Sequence, residues 1–411
     1  MNPFKRKFLF FSLFLLFLIA APLIILYSLG YRLDLKNKKI TQTGGIFVKT
    51  IPPSAQIFLN GKLSKKTDFL FGSAVIKNLL PRTYKVRVEK DGFFPWEKEL
   101  EVKEKEVTKT KTIVLFPKNI NFQLISDQAE KILPNSKGFL ILEKAEGDWA
   151  LKFYDLERGV KSHLISGREI SASTSEPSNF FWNKEKEIFF DLETEKGEKN
   201  FSLNFENVPR LSERKIPTST DLVFSKKIGD DLYELDRFGI LRKNNLSLNQ
   251  NPFPIKPGAN YQIETAFDFV FLLEDGDLFL LDTKTGLFDK IFEGVKGMKI
   301  SPDKKKLVFF SHFEIWVFYL QEITEPPVKK VGDKVFLNRF SKEIGDLFWL
   351  SPDYLVFNLG DEIKAMEIDE RDTINLVDLA NFKNPQIFFD LGKKKLYIFS
   401  EKNLYQSEPL F

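Results

Sequence analysis

His163 and His312 are the two imidazoles that this sequence offers to catalysis or to a metal ion, and the chain has no Cys. Two His residues are too few for a multi-His metal cluster within one chain, and they lie 149 residues apart in different strand-rich segments. The absence of Cys excludes disulfides, thiolate metal sites and a Cys nucleophile. We expect both His side chains to lie on a surface or at a strand edge.

Acidic pairs are the remaining candidates for chemistry. Glycoside hydrolysis would need two carboxylates that face each other across a substrate, and calcium would need several converging oxygens. Each acidic pair instead sits at a Gly-containing turn, where Asp forms local hydrogen bonds. No nucleotide-binding, zinc-protease or nucleophile-elbow motif occurs. The sequence therefore predicts no catalytic residue, no metal site and no cofactor. The acidic pairs are Asp230 with Asp231, Asp275 with Asp277, and Asp361 with Glu362.

An apolar run near the N-terminus predicts a membrane-spanning helix. Basic residues at 5–7 precede a stretch without charge from Phe8 to Tyr31. Its core, residues 8–29, would form a helix about 33 Å long, enough to cross a hydrocarbon layer of about 30 Å. A cleaved signal peptide has a shorter apolar region, and the small pair Ala20–Ala21 lies inside this run, before Pro22. We therefore expect an uncleaved anchor at 8–29 that contacts the lipid bilayer.

The orientation of this anchor follows from the length of its two flanks. Basic residues lie on both sides, so the positive-inside count is nearly balanced. Long domains translocate largely regardless of charge. We expect a cytoplasmic tail at residues 1–7, a linker at 30–43, and the bulk of the chain outside the cell membrane.

The next seventy residues or so predict a small β domain. Ile57–Leu59 is a β-type run, and Asn60–Gly61 after it is a strong signal for a two-residue hairpin turn. Alternating strands follow at Thr83–Glu89 and Trp96–Lys103, the second with Trp, Leu and Val on one face and charges opposite. The pattern predicts an antiparallel β-sandwich over residues 44–117.

This segment resembles the PEGA domain family in the order and spacing of its motifs. Two turns lack a glycine that is usual in the family, at Pro53-Ser54-Ala55 and at Pro81-Arg82. The resemblance implies a surface or adhesive module and brings no catalytic residues. The matching motifs are Gly45-Ile46-Phe47-Val48, Pro53 to Gly61, Leu79 to Val88, and Lys90-Asp91-Gly92-Phe93-Phe94-Pro95-Trp96.

Residues 118–411 contain repeating groups of three or four short strands. Propeller repeats are about 40–45 residues long, which gives about seven repeats here. Two repeats contain a Ser-Pro-Asp turn, at Ser301–Asp303 and Ser351–Asp353, which resembles WD-type and periplasmic Tol-type propellers. The sequence predicts a β-propeller of about seven blades. The expected blades are Ile132–Leu164, Phe180–Leu211, Leu222–Ile255, Tyr261–Phe292, Met298–Val331, Leu347–Val377 and Ile387–Glu408.

The last repeat ends after its third strand, which would leave an exposed edge. We expect the unassigned strand at residues 119–125 to supply the fourth strand and close the ring. Four Trp residues fall at strand positions in four predicted blades, where a core between blades is a simpler interpretation than a ligand platform. They are Trp149, Trp182, Trp316 and Trp349.

Charge is divided unevenly along the chain. Residues 1–43 and residues 44–117 each carry a net charge of +6, and residues 118–411 carry −8. We expect a membrane-anchored extracytoplasmic protein of the cell envelope that binds a protein or a glycan through its propeller. The alternatives are a propeller hydrolase or lyase that acts on extracellular polymer, and an assembly factor of the envelope or of secretion. Nucleic acid is not an expected partner, because no basic-aromatic groove is indicated.

Overall fold

The computed structural model describes residues 3–35, 37–145, 147–170, 175–194, 197–214 and 221–411. Over these residues the chain is mainly β, with one long helix at its N-terminal end. The fold class predicted from the sequence is confirmed. Residues 1 and 2 of the expected tail and position 36 of the expected linker lie outside the described residues.

Helix α1, Pro3–Ser28, contains the apolar run, with Pro22 inside it. Its segment Arg6–Ser28 is long and apolar enough to cross a membrane, and none of it is buried against the rest of the protein. The hydroxyls of Ser12 and Ser28 donate to the carbonyls of Phe8 and Ile24, each at 2.8 Å. The two hydroxyl groups are therefore satisfied within the helix, as an apolar environment requires.

A hairpin of β1, Tyr31–Asp34, and β2, Lys39–Gln42, follows α1. This hairpin occupies most of the region that the sequence indicates only as a linker. The amide of Thr43 donates to the carbonyl of Gly30 at 2.9 Å, which holds the end of α1 beside the start of the next domain.

The small β domain consists of two packed sheets with the strand orders β6-β3-β9 and β5-β4-β7-β8. β3 pairs in parallel with β9, and the remaining pairs are antiparallel. Asn60 and Gly61 have φ of 48° and 78°, which forms the β4–β5 turn that their sequence predicts. The strands are β3 Gly44–Ile51, β4 Gln56–Leu59, β5 Lys62–Lys66, β6 Ser73–Leu79, β7 Arg82–Glu89, β8 Trp96–Val102 and β9 Val107–Val114.

After the small β domain, the described residues form seven further four-stranded sheets, which we number as blades 1 to 7 in chain order. The first strand of each blade is the innermost in a propeller, and the strands continue outward in sequence. Blades 1 and 2 contain β11 Ala129–Pro134, β12 Gly138–Ala145, β13 Asp148–Asp155, β14 Val160–Ser166, β15 Ser178–Lys184, β16 Glu187–Thr194, β17 Gly197–Asn204 and β18 Arg210–Arg214, with the short helix α2 Gly167–Ile170 between them.

Blades 3 and 4 contain β19 Leu222–Ile228, β20 Asp231–Asp236, β21 Leu241–Lys243, β22 Leu246–Ser247, β23 Tyr261–Ala266, β24 Phe269–Glu274, β25 Asp277–Asp282 and β26 Leu287–Phe292. Blades 5 and 6 contain β27 Gly297–Ile300, β28 Lys306–Phe310, β29 Glu314–Tyr319, β30 Lys334–Arg339, β31 Ile344–Ser351, β32 Tyr354–Leu359, β33 Glu362–Glu367 and β34 Leu376–Asn381. Blade 7 contains β35 Gln386–Asp390, β36 Lys395–Ser400, β37 Asn403–Ser407 and, as its outer strand, β10 Phe122–Ser126.

Blade 7 thus combines both ends of the propeller segment. β10 pairs antiparallel with β37, and Phe122 lies opposite Ser407. The strand begins three residues later than the 119–125 segment indicated by the sequence. Buried apolar clusters fill the spaces between blades, and one of them, which includes Phe139 and Tyr397, joins blade 1 to blade 7. Hydrogen bonding and apolar packing therefore both hold the two ends together.

Candidate functional site

The two faces of the propeller differ in what covers them. Because each blade is antiparallel, the turns after its first and third strands lie on one face, and those after its second and fourth strands lie on the other. The propeller loops that contact the small β domain follow third strands, at residues 320–333 after β29 and 368–375 after β33. We call this side the docking face and the opposite side the open face.

A buried ion pair joins the small β domain to blade 6 on the docking face. The Lys98 Nζ, on β8, is 2.7 Å from the Oε1 of Glu367, and their side chains are 0% and 4% exposed. Lys98 Nζ also donates to the carbonyl of Asp369 at 2.6 Å. Trp96 Nε1 and Asn375 Nδ2 donate to the two carboxylate oxygens of Glu367 at 2.8 and 2.7 Å. Burial raises the pKa of Glu367, against the opposing effect of Lys98 and these donors.

The edge of the small domain's sheet is also covered by blade 6. Asn375 pairs with the backbone of Glu97, accepting from its amide at 3.2 Å and donating to its carbonyl at 3.0 Å. The Asp372 carboxylate accepts from the amide of Glu99 at 2.9 Å. These side chains replace a neighbouring strand along β8, so the edge has no free pairing surface at these positions.

A second group of contacts joins the two domains near this ion pair. Arg371 donates to both carboxylate oxygens of Asp369 and, at 3.0 Å, to the carbonyl of Lys109 in β9. Burial opposes ionisation of Asp369, but Arg371 lowers its pKa below the usual value. The Tyr354 hydroxyl accepts from the amide of Val114 at 3.2 Å. The two domains are therefore joined by a mostly desolvated interface that favours one relative position.

Charged side chains on the first strands of blades 3 to 6 act on one another near the propeller axis. Lys226 Nζ lies 3.0 Å from Glu264 Oε1. Lys299 is half-buried, and its Nζ lies 4.4 Å from the ring centroid of Phe348. Burial lowers the pKa of Lys299, while the charges of Glu264 and Asp346 oppose that change. We call Lys226, Glu264, Lys299 and Asp346 the axial cluster.

Asp346 is the member of the axial cluster whose pKa is raised above its usual value. Its Oδ2 accepts from the amide of Ile387 in blade 7 at 3.0 Å. Burial raises its pKa, and the amide of Ile387 and the charge of Lys299 lower it by less. A lysine with a lowered pKa beside an aspartate with a raised pKa can bind a polar ligand or transfer a proton.

The open face beside this cluster carries an exposed group of three charged or titratable side chains. Glu343 Oε1 lies 2.9 Å from Lys296 Nζ and 2.7 Å from His312 Nδ1. The hydrogen bond from Lys296, followed by that from His312, lowers the pKa of Glu343. Lys296 Nζ also donates to the carbonyl of Ile344 at 2.7 Å, close to the start of β31. The open face thus presents polar groups of both signs to solvent.

The histidines considered from sequence lie in different blades. His163 is on the outer strand of blade 1, where its Nε2 is 3.2 Å from Glu169, and His312 is in a turn of blade 5. Both are exposed. The hydrogen bonds of the described residues pair each of them with a glutamate and not with a Ser and an Asp.

The acidic pairs also lie apart. Asp231 pairs with Lys243 at 2.7 Å, Asp277 with Lys290 at 2.9 Å, and Glu362 with Lys342 at 2.7 Å. Asp275 and Asp361 accept backbone amides from Asn260 and Asn384, each at 2.8 Å. Asp230 is exposed in the β19–β20 turn. Over the described residues, no group of three or more His, Asp or Glu side chains could hold a metal ion.

The four tryptophans considered from sequence lie in apolar clusters between blades. Trp149 and Trp182 pack together between blades 1 and 2, Trp316 packs between blades 4 and 5, and Trp349 packs between blades 5 and 6. Trp349 Nε1 donates to the carbonyl of Lys299 at 3.0 Å.

Sequence reasoning missed Lys98 and the axial cluster. Lys98 did leave a signal, because it has the same strand parity as Trp96 and Leu100 and is therefore a lone charge on the apolar face of β8. The axial cluster left no comparable signal. Its members come from four different blades, and each resembles an ordinary charged strand residue.

Comparison with known proteins identifies one region of the chain. Residues 43–115 match the PEGA domain, and a propeller-like region follows. The comparison with curated proteins returns no match.

Several solved structures align with most of the chain at low sequence identity. The β-propeller domain of Cps50 (Swd1) from Myceliophteria thermophila is 11% identical, with a TM-score of 0.40, and covers 71% of this chain and 99% of its own. YCF48 from Cyanidioschyzon merolae is 7% identical, with a TM-score of 0.44 and coverages of 70% and 98%. A catalytically inactive virginiamycin B lyase from Staphylococcus aureus, solved with quinupristin, is 12% identical, with a TM-score of 0.43 and coverages of 71% and 99%. The assignment of blades in this chain rests on the strand order of its own sheets.

Proposed function

We propose that this chain is a membrane-anchored, extracytoplasmic binding or scaffold protein of the cell envelope. The observation that carries the proposal is that one propeller face is bonded to the neighbouring domain and the other is open to solvent. The docking face is joined to the PEGA domain through the desolvated Lys98–Glu367 pair, and the open face exposes a polar surface beside the axial cluster. The PEGA domain in turn follows the apolar helix α1.

The anchor follows from the composition of α1. Large apolar side chains are exposed around the whole helix, for example Phe10 at 64%, Leu16 at 62% and Ile24 at 63%. A helix that is apolar on every side and has no protein against it is stable in a lipid bilayer and not in water. Residues 1–7 form the cytoplasmic tail, and the PEGA domain and the propeller lie outside the cell membrane.

The partner of the open face is a protein or a glycan. The polar groups of the open face carry both signs of charge, and Lys296, His312 and Glu343 form one exposed group beside the propeller axis. Mixed charges of this kind favour a specific polar partner over a polyanion such as nucleic acid, whose binding depends on a one-sign basic surface. An assembly factor of the envelope or of secretion is one form that such a scaffold could take.

The location is tested by single-cysteine labelling, for which the chain is suited because it has no native Cys. We expect Phe313→Cys, on the open face, to react in intact cells with a maleimide that cannot cross the cell membrane. Lys7→Cys, in the tail, should react only after lysis. The reverse pattern would contradict the orientation.

Binding is tested with photo-crosslinking amino acids in the same cells. Positions on the open face, such as Phe313, should give adducts of defined mass. Leu246, on the outer strand of blade 3, is more accessible, at 73% exposed against 44% for Phe313, and should give none. Equal crosslinking from both positions would argue against a binding function of the open face.

The lowered pKa of Lys299 and the raised pKa of Asp346 favour one alternative, a hydrolase or lyase that acts on extracellular polymer. An acid and a base with shifted pKa values in one site are typical of proton-transfer catalysis. Degradation of a polysaccharide or peptide polymer by the purified chain, lost in Asp346→Asn and Lys299→Met, would support that activity. Binding that survives both substitutions without any product would support the scaffold.

A further inference from the structure

The hairpin of β1 and β2 has its amphipathic faces reversed relative to a water-soluble hairpin. Asp34 and Thr41 lie on the face that is buried, at 6% and 3% exposed. Leu33 and Ile40 form a cross-strand pair on the other face and are 59% and 63% exposed. Leu35, in the turn after β1, is 79% exposed. Water would favour the opposite arrangement, with the apolar pair packed inward.

The polar face of the hairpin is held by the PEGA domain. The Thr41 hydroxyl donates to Glu104, in the turn between β8 and β9. The amide of Lys105 donates to the carbonyl of Thr43 at 3.3 Å. The hairpin is thus fixed with its apolar face turned away from the domain, and in the described part of the chain no protein group packs over Leu33 and Ile40.

The hairpin is also fixed beside the end of α1. The side chain of Gln42 donates to the carbonyl of Leu29 at 3.2 Å. Arg32 Nη1 donates to the carbonyls of Tyr27 and Tyr31, each at 2.8 Å, and its guanidinium stacks 3.5 Å from the ring centroid of Tyr27. Tyr and Arg at a helix end are typical of the boundary between hydrocarbon and headgroups.

We propose that this hairpin lies in the headgroup layer of the bilayer, with Leu33, Leu35 and Ile40 inserted toward the acyl chains. The inference rests on the proposed membrane anchor. Leu33 is three residues beyond Gly30, at most about 10 Å along an extended chain, so it cannot leave the membrane surface. Lys38 at the tip of the hairpin is exposed and favours anionic lipid headgroups.

The insertion gives the PEGA domain a second contact with the membrane. A single helix would let the domain swing about the link at Leu29 and Gly30. The hairpin adds a broad apolar surface beside the helix, and its buried polar face is bonded to the domain. The position of the PEGA domain, and of the propeller docked on it, is thereby fixed relative to the membrane plane.

Four single-cysteine variants of the full chain test the proposal. Each carries an environment-sensitive fluorophore, in vesicles of phosphatidylcholine with phosphatidylglycerol. Leu33→Cys and Ile40→Cys report on the hairpin, and Phe14→Cys reports on α1. Leu70→Cys is the matched exposed control, 72% exposed in a loop at the other end of β3, about 23 Å away along that strand.

We expect labels at Leu33, Ile40 and Phe14 to shift to shorter emission wavelengths and to be quenched by lipids that carry a nitroxide. The label at Leu70 should be quenched by aqueous iodide. Iodide quenching at Leu33 and Ile40, with lipid quenching at Phe14, would overturn the hairpin proposal and leave the anchor intact. Iodide quenching at Phe14 as well would overturn both.

Shielding of Leu33 and Ile40 from both quenchers would show that protein covers the hairpin, such as a second copy of the chain. That result would also overturn the insertion into lipid. Two labelled positions on opposite strands keep the test valid if one substitution disturbs the hairpin. Phosphatidylcholine vesicles without the anionic lipid should weaken the quenching at both hairpin positions.

Discussion

Replacement of Lys98 by Met tests how the PEGA domain and the propeller are held together. The substitution keeps most of the side-chain volume and leaves the buried Glu367 carboxylate without its ionic partner, 2.7 Å away. Removal of one member of a buried pair destabilises a protein by about 3–5 kcal/mol, because the remaining charge stays desolvated. We therefore expect Lys98→Met to destabilise the docked state by that amount.

The matched control is a lysine of the same sheet with an equally short but exposed ion pair. Lys85 Nζ is 2.7 Å from Glu97, with side chains 53% and 39% exposed. Exposed pairs contribute about 1 kcal/mol or less, so Lys85→Met should change little. In Lys98→Met combined with Glu367→Leu, the loss should be smaller than the sum of the single losses, because no charge is left unpaired.

Hydrogen exchange of the β8 amides in detergent micelles measures the effect. These amides form part of the interface, so their protection reports the free energy of opening it. A loss of 3–5 kcal/mol speeds exchange by about two to four orders of magnitude. Exchange in Lys98→Met that matches Lys85→Met would refute the reasoning and indicate that apolar contacts hold the domains together without the ion pair.

Three further predictions concern the propeller. Burial opposes ionisation of Glu143, but hydrogen bonds from two lysines and a serine lower its pKa from 4.5 to about 2. The ionised carboxylate therefore stabilises the fold by about 3 kcal/mol above pH 4.5, and this stabilisation is lost as the pH falls toward 2. In the Glu143→Gln variant, the free energy of unfolding measured in urea should therefore fall less between pH 4.5 and pH 2 than in the unchanged protein. An equal fall in both proteins would contradict the prediction. Gly239 has φ of 80°, and a Cβ there would lie 1.9 Å from a backbone oxygen, whereas Gly229 has φ of 62° and open space around it. We therefore expect the Gly239→Ala variant to melt at a much lower temperature than the Gly229→Ala variant. Similar melting temperatures would refute the clash. Tyr354→Phe leaves the buried amide of Val114 without its acceptor and should cost about 1–3 kcal/mol in urea unfolding, and no change would indicate another acceptor.

The sequence predicted the fold because its signals are local. Asn60 and Gly61 form a turn through their own φ values, and the apolar run of α1 needs no partner to be recognised. The number of blades followed from repeat length and strand alternation. The docking contacts were not predictable in the same way, because Lys98 and Glu367 are 269 residues apart. Glu367 is ordinary within its strand, and the one signal at Lys98 is its position on the apolar face of β8.

The candidate site was harder to predict because the fold creates it. Lys299 and Asp346 become unusual through burial and through charges contributed by other blades. Their neighbours in the sequence are ordinary strand residues. The exposed histidines, in contrast, attracted attention by residue type alone, and each forms an exposed pair with a glutamate.

The most direct test of the account compares the distances of the two propeller faces from the membrane. Phe313→Cys and Lys304→Cys lie in turns at opposite ends of β28 in blade 5, about 17 Å apart along the strand, and Lys304 is on the docking face. Each is labelled with a donor dye in the full chain in nanodiscs whose lipids carry the acceptor. The account predicts weaker energy transfer from position 313 than from position 304. Equal or stronger transfer from 313 would contradict it.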